Sequence, residues 1–362
     1  MADIESARRT INEIDGEFAK LFEKRMQAVQ AVAEYKKERG LLIEDKNREA
    51  EVIARNSLLI KDDEIREYFV DFLQHNMEIS KNYQHRLIFG HRVAYSGVEG
   101  AFAHVATKKI FPDCESVSKT DFKSAYDAVV NGEADCAVLP IENSFNGDVG
   151  QVMDLAFFGP LYINAIYDAS IVQNLLACEG ATLETVKTVI SHSQALGQCG
   201  DFLRERGYAL AEAVNTAAAV KHVAELADTS VAAIGSKEAG ELYGLKTIKS
   251  HINQSNTNTT RFAVFSRVQK QNDRNDTKFI MLFTVKNEPG SLGRAVSIIG
   301  ENGFNLRALK SRPTKELSWE YYFYAEGDGK IDSFEGRRML SQLESVCMHV
   351  KVIGLFGEEV KI

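Results

Sequence analysis

Residues 4–35, IESARRTINEIDGEFAKLFEKRMQAVQAVAEY, decide the fold of the N-terminal part of this chain. Their apolar positions, Ile4, Ala7, Ile11, Ile14, Phe18, Leu21, Ala28, Val32 and Tyr35, advance in steps of three and four. That period belongs to one continuous helix burying a stripe against partner helices. Arg25 falls on the same stripe. A guanidinium in a packed seam costs several kcal/mol unless a negative group meets it. No acid shares the seam, so the position asks for an anionic ligand, a small acid held between helices.

Working outward, residues 1–86 read as all helix, with no proline and with Gly16 and Gly40 as the only breakers. A first helix over about 3–38, a second from about Asp45 and a third from Lys61 or Asp62 to His85 are expected. A helix of about 36 residues runs about 54 Å, too long for so small a domain to cover alone, so self-association is expected. Residues 90–268 alternate strand-like runs ("CAVLPIE", "TVISH", "RFAVFS") with helical stretches, the pattern of an α/β domain with largely parallel sheets. A polar run, QKQNDRNDT at 269–277, reads as a linker. Residues 278–362, including the strand "WEYYFYAEGD" (319–328), then follow the order βαββαβ, which is ferredoxin-like.

Net charge of −8 argues against general nucleic-acid or membrane-surface binding. Nothing resembles a membrane span or a signal peptide. Five scattered cysteines without a C-x-x-C pair suit buried thiols in a reducing cytoplasm, and the histidines show no ligand spacing, so no structural metal is expected.

Within the helical segment, Arg25 and Lys36 lie close to three turns apart on one face, about 16 Å along the axis. Arg8 sits about 100° around the helix from Arg25. It cannot touch the same ligand in cis, but the Arg8 of an antiparallel partner can. Asp45, Arg48 and Glu49 share one face of the second helix, as Ser80 and Gln84 do on the third. Charges at such spacings are ordinarily solvated, and by pattern alone only Arg25 is anomalous. The eight positions together, Arg8, Arg25, Lys36, Asp45, Arg48, Glu49, Ser80 and Gln84, resemble the active site of the all-helical chorismate mutases, which are intertwined dimers. The resemblance implies that Arg25 and the partner's Arg8 bind substrate carboxylates. It implies that Lys36 and Gln84 donate to the breaking ether oxygen. Asp45, the Arg48 backbone and Glu49 would hold the ring hydroxyl, and Ser80 would assist a carboxylate.

Four motifs in the central segment put polar groups at strand ends, where open α/β sheets bind ligands: YSGVEGAFAH (95–104), LPIENSFNGDV (139–149), ISHSQALGQC (190–199) and NTNTTRFAVFS (256–266). Singly each reads as turn chemistry. Together, with Asn215–Ala219 (NTAAA), they resemble prephenate dehydratase, which has two α/β lobes flanking a cleft like a periplasmic binding protein. The resemblance implies Thr260 as the catalytic donor within a hydrogen-bond network, Arg261 as an anchoring or positioning residue, and Glu142, Asn143, Ser144 and Thr216 lining the cleft. Ser193 departs from the proline usual in that family.

The C-terminal segment resembles ACT domains, which bind amino acids at dimer interfaces. The motifs that form the phenylalanine site in dehydratases read here Gly290-Ser291-Leu292-Gly293 and Lys310-Ser311-Arg312-Pro313. The first ends in glycine, and the second carries Lys310 where the family has an acid. The expectation is a cytoplasmic homodimer or higher homo-oligomer of three segments: all-α, two-lobed α/β and βαββαβ. It would convert chorismate to prephenate and prephenate to phenylpyruvate without a cofactor, under feedback by L-phenylalanine. Three readings stay open beside it. The central segment could be an arogenate dehydratase or a non-catalytic small-acid sensor, and the C-terminal segment a dimerisation module without a ligand.

Overall fold

The computed structural model describes residues 3–254, 257–270, 276–314 and 321–362. Residues 271–275 of the expected linker, and the first two of the strand expected from Trp319, lie outside these. The chain forms two compact units, residues up to His91 and Arg92–Ile362.

The first unit is three helices, α1 (Ile4–Arg39), α2 (Lys46–Ser57) and α3 (Asp63–Phe89). Asp3, Asp45 and Asp62 cap their N-termini through side-chain oxygens, satisfying donors that no helical carbonyl can reach. Gly40, at φ 61°, ends α1 in the left-handed conformation, and Leu41 N–H returns to the Lys36 carbonyl at 3.0 Å. That closing turn is the glycine-dependent helix stop.

α1 packs α3 with a different face from the one expected. Phe22, Arg25, Met26, Val29, Ala33 and Lys36 are the covered positions. Along the predicted stripe Ile4, Ile11, Ile14, Phe18 and Leu21 stay exposed, up to 64% for Leu21. The helix carries two apolar faces, and only the shorter one is buried within the chain.

The second unit begins with a lobe of β1 (Arg92–Ser96), α4 (Phe102–Ile110), β2 (Glu115–Lys119), α5 (Phe122–Val130), β3 (Cys136–Asn143), β4 (Gly147–Asp148), α6 (Gly150–Phe158) and β5 (Tyr162–Ser170). The chain then crosses to a second lobe. This holds β6 (Asn174–Ala177), β7 (Thr188–Ser191), α7 (Ser193–Gln198), α8 (Gly200–Arg206), β8 (Ala209–Glu212), α9 (Thr216–Leu226), β9 (Val231–Gly235), α10 (Lys237–Tyr243) and β10 (Lys246–Lys249). It returns as β11 (Thr259–Ser266), antiparallel to both β3 and β5. The second lobe's sheet runs β10-β6-β9-β7-β8.

The remainder is β12 (Lys278–Thr284), α11 (Ser291–Glu301), β13 (Asn305–Pro313), β14 (Tyr321–Asp328), α12 (Phe334–Val346), β15 (His349–Phe356) and β16 (Val360–Lys361). Its strands are not set apart from the first lobe. They continue its sheet in the order β13-β14-β12-β15-β5-β11-β3-β1-β2, with β16 also pairing β5. Gly354 pairs Ile163, and Val360 and Lys361 pair Tyr167 and Asp168.

Pro140 lies within β3, between β1 and β11. A proline has no N–H for a ladder and is tolerated in sheets at bulges. The β3–β11 register indeed shifts there: Phe262 faces Pro140, Arg261 faces Glu142 and Thr260 faces Asn143, leaving Ile141 over. The bulge sets the direction of the two cross-strand pairs that follow.

Candidate active sites

In the helical unit, one cavity of about 280 Å³ is lined by Arg25, Lys36, Asp45, Arg48, Glu49, Ser80 and Gln84, together with Val29, Val32, Ile43, Met77 and Lys81. Seven of the eight residues expected from sequence therefore converge. Arg8 does not; it is exposed and pairs with Glu5 at 3.3 Å. Arg25 bonds the Ser80 hydroxyl and, at 3.5 Å, the Asn76 carbonyl. No carboxylate among the described residues pairs with it, and burial holds its pKa below the usual value. Lys36 donates to the Ile43 carbonyl at 2.5 Å, a contact the Gly40 turn makes possible. Gln84 is 7% exposed, and its Oε1 has no hydrogen-bond partner among the described residues.

Lys81 was missed at the sequence level. Its ammonium lies 3.4 Å from Glu49 and 3.0 Å from Glu78. Burial opposes its charge, but the two glutamates outweigh it and raise its pKa. The available signal was spacing: Lys81 follows Met77 by four residues and precedes Gln84 by three, so all three share a helix face.

Between the two lobes of the second unit lies a cavity of about 540 Å³. From the first lobe Ser96, Phe122, Asn143 and Thr260 reach it, and from the second His192, Gln194, Gln198, Asn215 and Thr216. The N-termini of α4 and α9 open onto it at Phe102 and Thr216, bringing first-turn backbone N–H groups and the positive end of each dipole.

Asn143 organises the centre of this cleft. Its Nδ2 donates to Thr260 Oγ1 and Asn258 Oδ1, both at 2.9 Å. Its Oδ1 accepts from Phe145 N and Asn146 N, at 3.0 and 2.9 Å. Since Thr260 Oγ1 is the acceptor, its own hydroxyl proton remains free for a ligand. Asn258 donates on to Gln198 Oε1 at 3.1 Å, which also takes Gln173 Nε2 at 3.3 Å. Gln173 is buried, with its own Oε1 unpartnered among the described residues. This chain of amides is the network around Thr260 that sequence reasoning expected but could not compose. Asn258 was within reach of it, because strand residues two apart share a face.

Three expected cleft residues turn away. Glu142, Ser144 and Arg261 line a separate cavity of about 500 Å³ with Asp168, Arg307, Glu359 and Lys361. The cause is the strand period: neighbours in β3 and β11 point to opposite faces, so with Asn143 and Thr260 in the cleft, Glu142 and Arg261 cannot be. Arg261 forks onto Glu326 of β14 at 2.8 and 3.1 Å, and bonds Glu142 at 3.1 Å and Glu359 at 2.6 Å. Although burial disfavours its charge, Glu326 first and Glu359 after it raise its pKa well beyond the usual value.

The C-terminal motif residues make these contacts within the chain. Gly290, at φ 82°, caps α11; Ser291 is buried and Leu292 packs on the core beneath. Lys310 and Arg312 occupy alternate positions of β13 and reach into the first lobe. Lys310 bonds Glu142 at 3.0 Å and Asp148 at 2.5 Å, while Arg312 forks onto Asp154 at 2.9 and 3.1 Å. Gly150 lies so close to the Arg312 guanidinium that a Cβ there would collide with it. Ser311 and Pro313 are on the exposed face of the strand.

Two family models match the chain, chorismate mutase type II over residues 7–85 and prephenate dehydratase over residues 93–270. The bifunctional chorismate mutase/prephenate dehydratase of Escherichia coli K12 is 30% identical, over 74% of this chain and 71% of its own length. The chain belongs to the bifunctional chorismate mutase/prephenate dehydratase family. A relative of the same description from Buchnera aphidicola of Acyrthosiphon pisum is 27% identical across 97% of this chain and 96% of its own. Among solved structures, the prephenate dehydratase of Arthrobacter aurescens in complex with L-Phe superposes with a TM-score of 0.68. It is 25% identical and covers 74% of this chain and 90% of that one. Among the described residues, no helix is long and apolar enough to cross a membrane.

Proposed function

We propose that this family member rearranges chorismate to prephenate in its helical unit and converts prephenate to phenylpyruvate in the interlobe cleft, a two-step route toward phenylalanine. The observation that carries it is convergence. Seven mutase-type residues line one cavity, and Asn143 and Thr260 meet in another.

The first step is concerted and needs no nucleophile, only a held conformer and stabilised charge on the departing ether oxygen. Arg25, paired with no acid among the described residues and seated on Ser80, takes a carboxylate. Lys36 and the Gln84 amide donate to the ether oxygen, while Asp45, the Arg48 backbone and Glu49 hold the ring hydroxyl. The open stripe of α1 is covered by a second copy of the chain, whose Arg8 completes the cavity as a homodimer forms.

In the second step the bond from the ring to its carboxylate breaks and CO2 leaves. The electron pair completes the aromatic ring and expels the ring hydroxyl, which takes up one proton and departs as water. Thr260 donates its free hydroxyl proton toward that oxygen, with Asn143 fixing the direction. Among the described residues, no lysine or arginine lines this cleft. The carboxylates are therefore held by the N-termini of α4 and α9, Thr216 and the amide side chains.

Residues 278–362 act as an ACT-type regulatory segment for L-phenylalanine, with Gly290, Ser291, Leu292 and the 310–313 strand as its signal elements. The L-Phe complex of the similar dehydratase supports this ligand. The test supplies chorismate and follows prephenate and phenylpyruvate separately, with and without phenylalanine, in the wild type, K36A and T260A. K36A should form neither product from chorismate yet still convert added prephenate, and T260A should leave prephenate accumulating. A T260A protein that still makes phenylpyruvate at the wild-type rate would refute the assignment of the cleft. Arogenate offered beside prephenate separates the two dehydratase readings.

A further inference from the structure

On the reading that the interlobe cleft is the dehydratase site, we propose that Lys310 is a positioning residue for that reaction. It acts from the C-terminal sheet through the β3–β4 hairpin. Glu142 and Asp148 are direct cross-strand partners in that hairpin. Like charges so placed repel and favour opening of the pair. Lys310 binds both at once, at 3.0 and 2.5 Å, and Arg261 takes the other oxygen of Glu142 at 3.1 Å. One ammonium with three donors thus neutralises a repulsion that the hairpin carries in its own sequence.

The hairpin is also a wall of the cleft. Asn143, Asn146, Gly147 and Asp148 all line it. Asn143 stands one residue beyond Glu142 and faces Thr260 across the strands, while Glu142 faces Arg261. The two pairs are the front and back of one stretch of sheet. The C-terminal sheet grips the back at both strands: Lys310 of β13 holds Glu142, and Glu326 of β14 holds Arg261. A hairpin released at Glu142 and Asp148 carries Asn143 away from Thr260, and the Thr260 proton loses its direction.

This role explains why a lysine serves where the related motif carries an acid. A carboxylate at position 310 would put a third negative charge against Glu142 and Asp148. Restoring the family residue should therefore do harm in this chain.

The test measures steady-state kinetics of full-length K310R, K310M, K310E, D148N and K310M/D148N with prephenate, and with chorismate as an internal control of folding. K310M should lower kcat for prephenate about tenfold with KM changed less than about threefold, as expected when a charged hydrogen bond that orients a reacting group is lost. K310R should recover to within about threefold of wild type, and K310E should fall about a further tenfold. D148N added to K310M should raise activity, because it removes one of the two repelling charges. Chorismate constants should stay within about twofold throughout. All variants within about twofold of wild type, K310E no worse than K310M, or losses from K310M and D148N that multiply would each overturn the proposal. A parallel loss of mutase activity would do the same, by marking general destabilisation. If the wild type does not turn over prephenate at all, the reading of the cleft fails and the proposal falls with it.

Discussion

Exchanging Asn143 for aspartate tests the direction of a single proton. In the wild type the Asn143 amide donates to Thr260 Oγ1 at 2.9 Å, so the hydroxyl points its proton elsewhere. Aspartate is nearly isosteric and still accepts from Phe145 N and Asn146 N, the bonds that shape the turn. Only the donor is reversed. Thr260 would then give its proton to the carboxylate, in a charge-assisted bond worth about 1.5–3 kcal/mol. Breaking that bond to serve the substrate costs about 10- to 150-fold in rate. The new carboxylate also faces Asn258 Oδ1, now without the donor it accepted from. N143D should therefore lower kcat for prephenate by about two orders of magnitude, with chorismate turnover unchanged. N143A should fall less, about tenfold, since the hydroxyl loses its guide but keeps its proton. Stopped assays quantifying phenylpyruvate from prephenate, with chorismate consumption in parallel, measure both. An N143D enzyme within about threefold of wild type, or one faster than N143A, would refute the role given to Thr260.

Other outcomes follow from the same geometry. Burial alone would raise the pKa of Glu142, yet Lys310 and Arg261 more than offset it and hold it below the ordinary carboxylate value of 4.5. A depressed folded-state pKa contributes stability that is present above the unfolded value and lost as pH falls through the folded one. Thermal unfolding should therefore lose midpoint below about pH 4.5, and E142Q should flatten that dependence; an unchanged slope would remove Glu142 as its source. K81M should reduce mutase kcat/KM about tenfold by releasing Glu49, with K81R near wild type and phenylpyruvate formation from prephenate unaffected. Equal loss in K81R would show that the cavity needs the shape of lysine rather than its charge. Placing glutamate at both Ile11 and Ile14, which are 55% and 57% exposed within the chain, should halve the mass seen by light scattering and abolish mutase activity. Retained mass together with retained mutase activity would rule out the α1 stripe as the interface.

How far the sequence could be read depended on whether a feature is local. Helix ends were legible because a cap is chemistry within a few residues: Asp45 and Asp62 cap their helices as spacing suggests, and Gly40 stops α1. α3 runs past His85 to Phe89 because Gly90, at φ 85°, is the first residue that breaks it. The packed face of α1 was not legible. Period alone cannot rank two apolar stripes on one helix, and the longer stripe is the one left open. Arg25 was found all the same, since it borders both stripes and a cation there is anomalous against either.

The strand motifs failed in a more instructive way. Reading Glu142, Asn143 and Ser144 as one cluster ignored the two-residue period that separates them onto two faces. Applied to the same letters, that period gives Asn258 with Thr260 in the cleft, and Glu142 with Arg261 behind it. Lys310 lay beyond any such rule, because its partners are 168 and 162 residues away in the chain. Against the family motif it reads as a lost acid in a ligand site. Beside Glu142 and Asp148 it is the cation that lets two facing carboxylates share a hairpin, and the departure from the motif becomes a fitted part.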